Sequence, residues 1–325
     1  MPLPTYDDVL AARARIAKHV VRTPLLRHPM LDALAGGTVL VKPESLQRTG
    51  SFKLRGATSA IRRLGEAERR AGVVTYSSGN HGQAVACAAA AMGVPATVFM
   101  PADAPRVKAD DTRRRGAEVI GFDRAKDDRA ALARAFAERT GAVLVPPYDH
   151  PDIIAGQGTL ALELVEDAAA EGLRVDAVIA PMSGGGLASG CALALEGAAP
   201  GARMYGAEPQ GFDDTARSLA AGERVANPPG GTGLCDSLLA ERPGELTFAL
   251  NRRLLAGVAV VSETEVLAAM AFAFRHLKLV LEPGGAVALA ALLAGRFAAR
   301  DRVVGVVLSG GNVDAAVFRR ALAAG

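Results

Sequence analysis

The sequence predicts an α/β protein built from two open parallel-sheet domains, and three observations carry that prediction. Short β-rich runs alternate with longer Ala-rich helical stretches across residues 73–148, the pattern of parallel strands joined by crossover helices. The same alternation resumes after "YDHPD" (148–152) and continues to a last apolar run near the C-terminus. With 325 residues, 50% of them hydrophobic, the chain has apolar surface enough for two cores.

The elements follow in order. "TVLVKPE" (38–44) reads as a strand. Gly50 reads as a turn and Ser51 as the N-cap of a helix that starts at Phe52 and continues through "LRGATSAIRRL". Next come "VVTY" (73–76), the helix "GQAVACAAAAMG" (82–93), "ATVFM" (96–100), the helix "APRVKADDTRRRG" (104–116), "AEVIGF" (117–122), the helix "RAALARAFAERTG" (129–141) and "AVLVPP" (142–147). The second series has a helix at "GTLALELVEDAAAEG" (158–172), strands at "DAVIAPM" (176–182) and "RMYGAEP" (203–209), helices near 263–278 and 284–294, and a closing strand at "RVVGVVLSGG" (302–311). Grouping "TVLVKPE" and the Lys53 helix with this later series makes 69–148 a small domain inserted into a large one, 1–68 plus 149–325. A ligand cleft is expected between them.

Composition narrows the function classes. Net charge is +3, Trp is absent, and no basic run is interleaved with aromatics, so nucleic-acid binding has no support. No stretch reaches the roughly 18 apolar residues of a membrane span, and the opening residues lack an apolar signal core; the expected setting is the cytoplasm. Cys87, Cys191 and Cys235 are odd in number and far apart, which speaks against disulfides and a zinc site.

Four stretches carry the chemistry. In "TGSFKLRGA" (49–57), Lys53 sits in the first helical turn with Arg55 two residues on. The positive end of the helix dipole and the neighbouring cation both favour a neutral amine, which is what Schiff-base chemistry needs. "DAVIAPMSGGGLASG" (176–190) is a strand, a glycine-rich turn and a helix; the amides of Gly184, Gly185, Gly186 and Leu187 suit an anion at the helix N-terminus, though a bare tight turn reads the same way. No P-loop Lys-Ser/Thr follows, and the spacing is not that of a dinucleotide fingerprint. "YSSGNHGQA" (76–84) gathers Ser77, Ser78, Asn80 and His81 at another strand-to-helix junction, suited to a carboxylate or to simple capping. In "VVLSGGNVD" (306–314), Ser309 ends an apolar run, at the sheet edge where open α/β folds bind ligands.

Taken together, "SFKLRGA", "SSGNHGQA", "SGGGLASG" and "LSGGNVD" resemble the serine/threonine dehydratase and serine racemase group of fold type II pyridoxal-phosphate enzymes (tryptophan synthase β-like), over essentially the whole chain. The resemblance implies a cleft between two domains that holds pyridoxal 5′-phosphate. It makes Lys53 the attachment lysine and catalytic base, with Phe52 against the cofactor, Asn80 on its ring hydroxyl, the backbone of Gly184–Leu187 on its phosphate and Ser309 at its pyridine nitrogen. It also implies that Ser77, Ser78, Asn80 and His81 receive an amino-acid substrate. The implied reaction is β-elimination from a β-hydroxy amino acid such as L-threonine or L-serine to a 2-keto acid and ammonia; serine racemisation and 3-hydroxyaspartate ammonia-lyase activity are the alternatives.

Further implications of the resemblance concern the branch. Ser78 matches the racemase branch's acid/base on the face opposite the lysine. "AEPQGFDD" (207–214) resembles that branch's divalent-cation site, with Glu208, Asp214 and the Phe212 carbonyl as ligands for Mg²⁺ or Ca²⁺; unaided, the cluster reads as a solvated acidic loop. Asp128 and Arg129 stand near where mammalian racemases carry a nucleotide-binding arginine, so ATP activation is not implied. A homodimer is expected, and isoleucine feedback is not. Glu282 before Pro283 reads as a helix-start carboxylate, and the resemblance sets it near the cofactor ring.

Overall fold

The computed structural model describes residues 1–77, 79–104, 106–123, 126–228 and 230–324. In chain order the elements are α1 (Tyr6–Ile16), α2 (Pro29–Ala35), β1 (Thr38–Pro43), α3 (Lys53–Arg62), α4 (Glu66–Ala71), β2 (Val73–Tyr76), α5 (Asn80–Ala90), β3 (Ala96–Pro101), α6 (Arg106–Arg114), β4 (Glu118–Phe122), α7 (Arg129–Thr140) and β5 (Val143–Leu144). They continue as α8 (Pro151–Ala170), β6 (Ala177–Pro181), α9 (Gly186–Ala198), β7 (Arg203–Pro209), α10 (Asp214–Ala221), α11 (Glu245–Leu254), β8 (Leu255–Val261), α12 (Glu263–Phe272), α13 (Pro283–Leu293), β9 (Val303–Leu308) and α14 (Ala315–Ala324).

The strands form two sheets, one ordered β1-β9-β6-β7-β8 and one ordered β4-β3-β2-β5. All pairings within them are parallel. These are the two α/β domains expected. Each sheet is buried on both faces, as crossover helices require. On the larger sheet Val39, Val41, Ile179, Val304 and Val306 face a core with α12 and α13, while Leu40, Val178, Ala180 and Val307 face α8 and α9; the period-2 alternation of a strand assigns each residue its side. In the smaller sheet Val73, Val98 and Met100 pack with α3 and α5, and Val74, Phe99 and Phe122 pack with α7. Leu54, Ala57 and Ile61 of α3 thus lie in the core beside the smaller sheet.

Several expectations need correction. Ser51 is not the N-cap of α3: it forms an antiparallel bridge to Gly310, and Phe52 caps the helix without a side-chain bond. Long-range pairing outcompetes the local cap there. Gly50 does turn in the left-handed region, at φ 72°. Helix α8 begins at Pro151 rather than 158, because His150 accepts from the Asp152 amide and Pro151 occupies the first turn. Strand β5 stops at Leu144, since the prolines at 146 and 147 have no N–H for a ladder. Strand β8, unforeseen, adds an edge to the larger sheet. No described helix is long and apolar enough to cross a membrane.

Candidate active site

The motifs converge at the C-terminal ends of parallel strands. The loop after β9 pairs with the loop before α3: Phe52 N–H donates to the Ser309 carbonyl at 3.1 Å, and Gly311 N–H donates to the Gly50 carbonyl at 2.8 Å. Lys53 and Ser309 are thereby neighbours through backbone bonds. The Lys53 Nζ donates to the Pro147 carbonyl at 2.7 Å and lies 5.1 Å from the centroid of the Phe52 ring.

Burial lowers the Lys53 pKa to about 8, with the Glu282 carboxylate opposing that shift. Arg55, expected to help, does not contribute. Its guanidinium is fully buried and turned away, bonded to Glu44 at 2.8 Å and to Glu163 at 2.7 Å. Two carboxylates absorb its charge.

At the start of α5, Asn80 is held on both sides. Its Nδ2 donates to Glu282 Oε1 at 2.6 Å, and its Oδ1 accepts from Asn312 Nδ2 at 2.7 Å. Asn312 also donates to the Thr49 carbonyl. Glu282, read as a helix-start residue, is the N-cap of α13 and reaches this cluster as well. His81 is buried, with Nε2 at 3.0 Å from the Val145 carbonyl; a carbonyl only accepts, so Nε2 carries the proton. Burial, with Lys53 nearby, drops its pKa to about 3, and the ring is neutral. Ser77 N–H donates to the Phe99 carbonyl, and Ser77 Oγ accepts from the Gly79 amide. Ser78 lies outside the described residues.

The glycine turn leads into α9. Gly185 caps the helix in the left-handed region at φ 95°, and among the described residues the amides of Gly184, Gly185, Gly186 and Leu187 find no acceptor. A Cβ on Gly184 would stand 2.5 Å from the Tyr148 ring, so the turn has to be bare there. Thr247 Oγ1 donates to the Gly184 carbonyl at 2.6 Å, fixing the turn to α11. Unpaired amides at a helix N-terminus are an anion site.

Glu208 and Asp214 also come together. Glu208 accepts from the Thr215 and Ala216 amides, and Asp214 Oδ1 accepts from Asn227 Nδ2. Burial raises Glu208 to about 8, with the Asp214 charge adding to that shift, and burial raises Asp214 itself to about 6. Asp214 Oδ2 is buried without a partner, which fits a cation there. The described residues nonetheless hold no cluster of three or more His, Cys, Asp or Glu side chains. Phe212 contributes its backbone to the turn before α10, with its amide on the Pro209 carbonyl.

Pro147, Tyr148, Asp149 and Asn312 join the site without having been singled out as site residues. Asn312 lies inside "LSGGNVD"; the others stand in "PPYDHPD", a loop whose contacts no local pattern reveals.

The comparisons with known proteins agree with this geometry. Residues 16–310 match the family model described as "Pyridoxal-phosphate dependent enzyme". The chain is 42% identical over 314 residues to an L-threo-3-hydroxyaspartate ammonia-lyase of Pseudomonas sp, covering 97% of each. It is 40% identical over 312 residues to a serine racemase of Schizosaccharomyces pombe, covering 96% of this chain and 95% of that one. The solved structure of the T.th. threonine deaminase superposes with a TM-score of 0.90 at 42% identity, over 96% of this chain and 99% of that one. Its fold is fold type II, its lysine and glycine turn are joined through Pro147 and Tyr148, and its relatives are ammonia-lyases and racemases: this chain belongs to the pyridoxal-phosphate dependent enzymes.

Proposed function

We propose that the chain removes the β-hydroxyl and the α-amino group of a β-hydroxy amino acid such as L-threonine or L-serine, yielding a 2-keto acid and ammonia. The carrying observation is the Lys53 amine, shifted to about 8 and bonded to the Pro147 carbonyl, next in the chain to Tyr148, whose ring packs against the glycine turn with its unpaired amides. The residues fit pyridoxal phosphate: the amides of Gly184, Gly185, Gly186 and Leu187 have no acceptor among the described residues and open a helix N-terminus, the donor set a phosphate takes. When bound, the cofactor withdraws the charge left on Cα as its proton departs. Lys53 would hold it and take that proton. Phe52 would lie against its ring, Asn80 would serve its hydroxyl, and Ser309 would offer a neutral hydroxyl to its pyridine nitrogen, a set that would favour prompt elimination.

In this reading Ser77, Asn80 and the turn between them receive the substrate carboxylate, His81 backs that turn as a neutral ring, and Ser78 is the acid/base of the opposite face. A divalent cation, Mg²⁺ or Ca²⁺, sits on Glu208, Asp214 and the Phe212 carbonyl; it relieves the repulsion of two buried carboxylates. Chelation with EDTA is accordingly expected to lower the melting temperature, and Mg²⁺ to restore it; coincident melting curves would remove the cation. The same reading includes a cytoplasmic homodimer with domain borders at 68/69 and 148/149.

We propose 3-hydroxyaspartate as a second substrate on one feature. The Arg129 guanidinium lies 5.8 Å from the centroid of Tyr76, the residue before Ser77, where it can meet a second carboxylate. The test is keto-acid release from L-serine, L-threonine, L-threo-3-hydroxyaspartate and their D-forms. The wild type is expected to act on at least one and Lys53→Ala on none; Arg129→Ala should impair hydroxyaspartate turnover alone, by tenfold or more. A cofactor-loaded wild type that releases keto acid from none of them overturns the proposal.

A further inference from the structure

The segment from Val145 to Asp149 leaves the smaller sheet and leads to α8, and four of its residues make tertiary contacts. The Val145 carbonyl accepts from Thr75 Oγ1 at 2.7 Å and from His81 Nε2 at 3.0 Å. The Pro147 carbonyl accepts from Lys53 Nζ at 2.7 Å. Tyr148 packs its ring against Gly184, and its carbonyl lies beneath Gly186. Asp149 then takes three amides at the start of α11, those of Glu245 at 2.8 Å, Leu246 at 3.0 Å and Thr247 at 3.1 Å.

Helix α11 closes the circuit. Its Thr247 hydroxyl holds the Gly184 carbonyl at 2.6 Å, and its Asn251 Oδ1 accepts from Ser189 of α9 at 2.9 Å. Gly244 makes the approach possible, since a Cβ there would stand 2.4 Å from the Asp149 carboxylate. A carboxylate facing three helix-terminal amides forms charge-assisted bonds and meets the positive end of the dipole. The prolines at 146 and 147 fix φ on the way, so displacement at one end of the segment carries to the other.

We propose that Asp149 is a positioning residue: by capping α11 it holds the Pro147 carbonyl against the Lys53 amine and the Tyr148 ring against the glycine turn, setting the spacing between attachment lysine and phosphate-accepting amides. This rests on the roles given above to Lys53 and to Gly184–Leu187. The Asp149 side chain itself touches neither cofactor nor substrate in this scheme. It acts through the two groups that do.

The test compares Asp149→Ala and Asp149→Asn with wild type in the full chain, measuring affinity for pyridoxal 5′-phosphate and for pyridoxal by equilibrium dialysis. A general loss of stability weakens both ligands alike. Misplacement of the glycine turn costs the phosphate ester more, so Asp149→Ala is expected to lose tenfold or more in affinity for pyridoxal phosphate while its preference over pyridoxal shrinks. Asp149→Asn, whose amide oxygen still accepts, is expected to fall between the two, and it carries the comparison if the alanine variant does not fold. An unchanged preference in the variants overturns the inference. Borohydride reduction of the loaded wild type with peptide mapping checks the underlying reading separately: label on Lys53 supports it, and label elsewhere overturns both.

Discussion

Lys53 shows how a residue's chemistry depends on more than its neighbours in sequence. Its place in the first turn of a helix was legible, and so was the need for a neutral amine. The source of that neutrality was not: the charge of Arg55 is consumed by Glu44 and Glu163, and burial supplies the shift. A pH dependence follows. A lysine in the unfolded chain titrates near 10.5, and here the folded amine titrates near 8; between those values the unfolded chain holds the extra proton, so stability rises with pH across that window. Below pH 8 the folded protein bears the full cost of a protonated buried amine, at most about 3 kcal/mol. Lys53→Met is therefore expected to stabilise the cofactor-free protein at pH 7, with the gain shrinking as pH climbs from 8 toward 10.5. Urea unfolding at pH 7 and at pH 9.5 checks it; an equal gain at both would contradict a burial-driven shift.

Among the elements, the strand-to-helix turns were the most legible. A glycine run after an apolar strand predicts unpaired amides whatever the rest of the fold does, because the first amides of any helix lack partners. The Ser51 cap misled for the opposite reason, since a side-chain cap is worth about 1 kcal/mol and a bridge to Gly310 displaced it. Gly184→Ala tests the turn as an element. The new methyl would meet the Tyr148 ring at 2.5 Å, so pyridoxal-phosphate affinity is expected to drop tenfold or more, measured by dialysis, while the far-ultraviolet dichroism stays that of wild type. Retained affinity would show that Tyr148 yields without moving the turn.

Across the whole molecule, the edge strand of the larger sheet is tied to the lysine helix by a buried quartet. Arg55 bonds Glu44 and Glu163, Lys42 Nζ bonds Glu163 and the Thr23 carbonyl at 2.7 Å each, and Thr23 Oγ1 bonds Glu44. Two cations and two carboxylates balance. This joins the end of β1, α3 and α8 through buried side chains, so removing one member leaves a net buried charge. Arg55→Met is expected to destabilise the protein by about 3–5 kcal/mol, read from urea unfolding. A loss under 1 kcal/mol would mean that the quartet relaxes or takes in water.

By itself the sequence determined the fold class, both sheets' principal strands, and the four turns that carry the chemistry, because strand alternation, glycine runs and helix starts are written over a few consecutive residues. Tertiary structure alone decided which groups meet. Lys53 finds its acceptor 94 positions away in Pro147, and Asn80 is fixed by Glu282 and Asn312 at separations of 202 and 232. It also decided that Asp149 caps a helix 96 positions downstream, and that burial tunes the Lys53 amine. Such contacts and desolvation depend on how the two domains pack, and a local pattern of residues does not encode that packing.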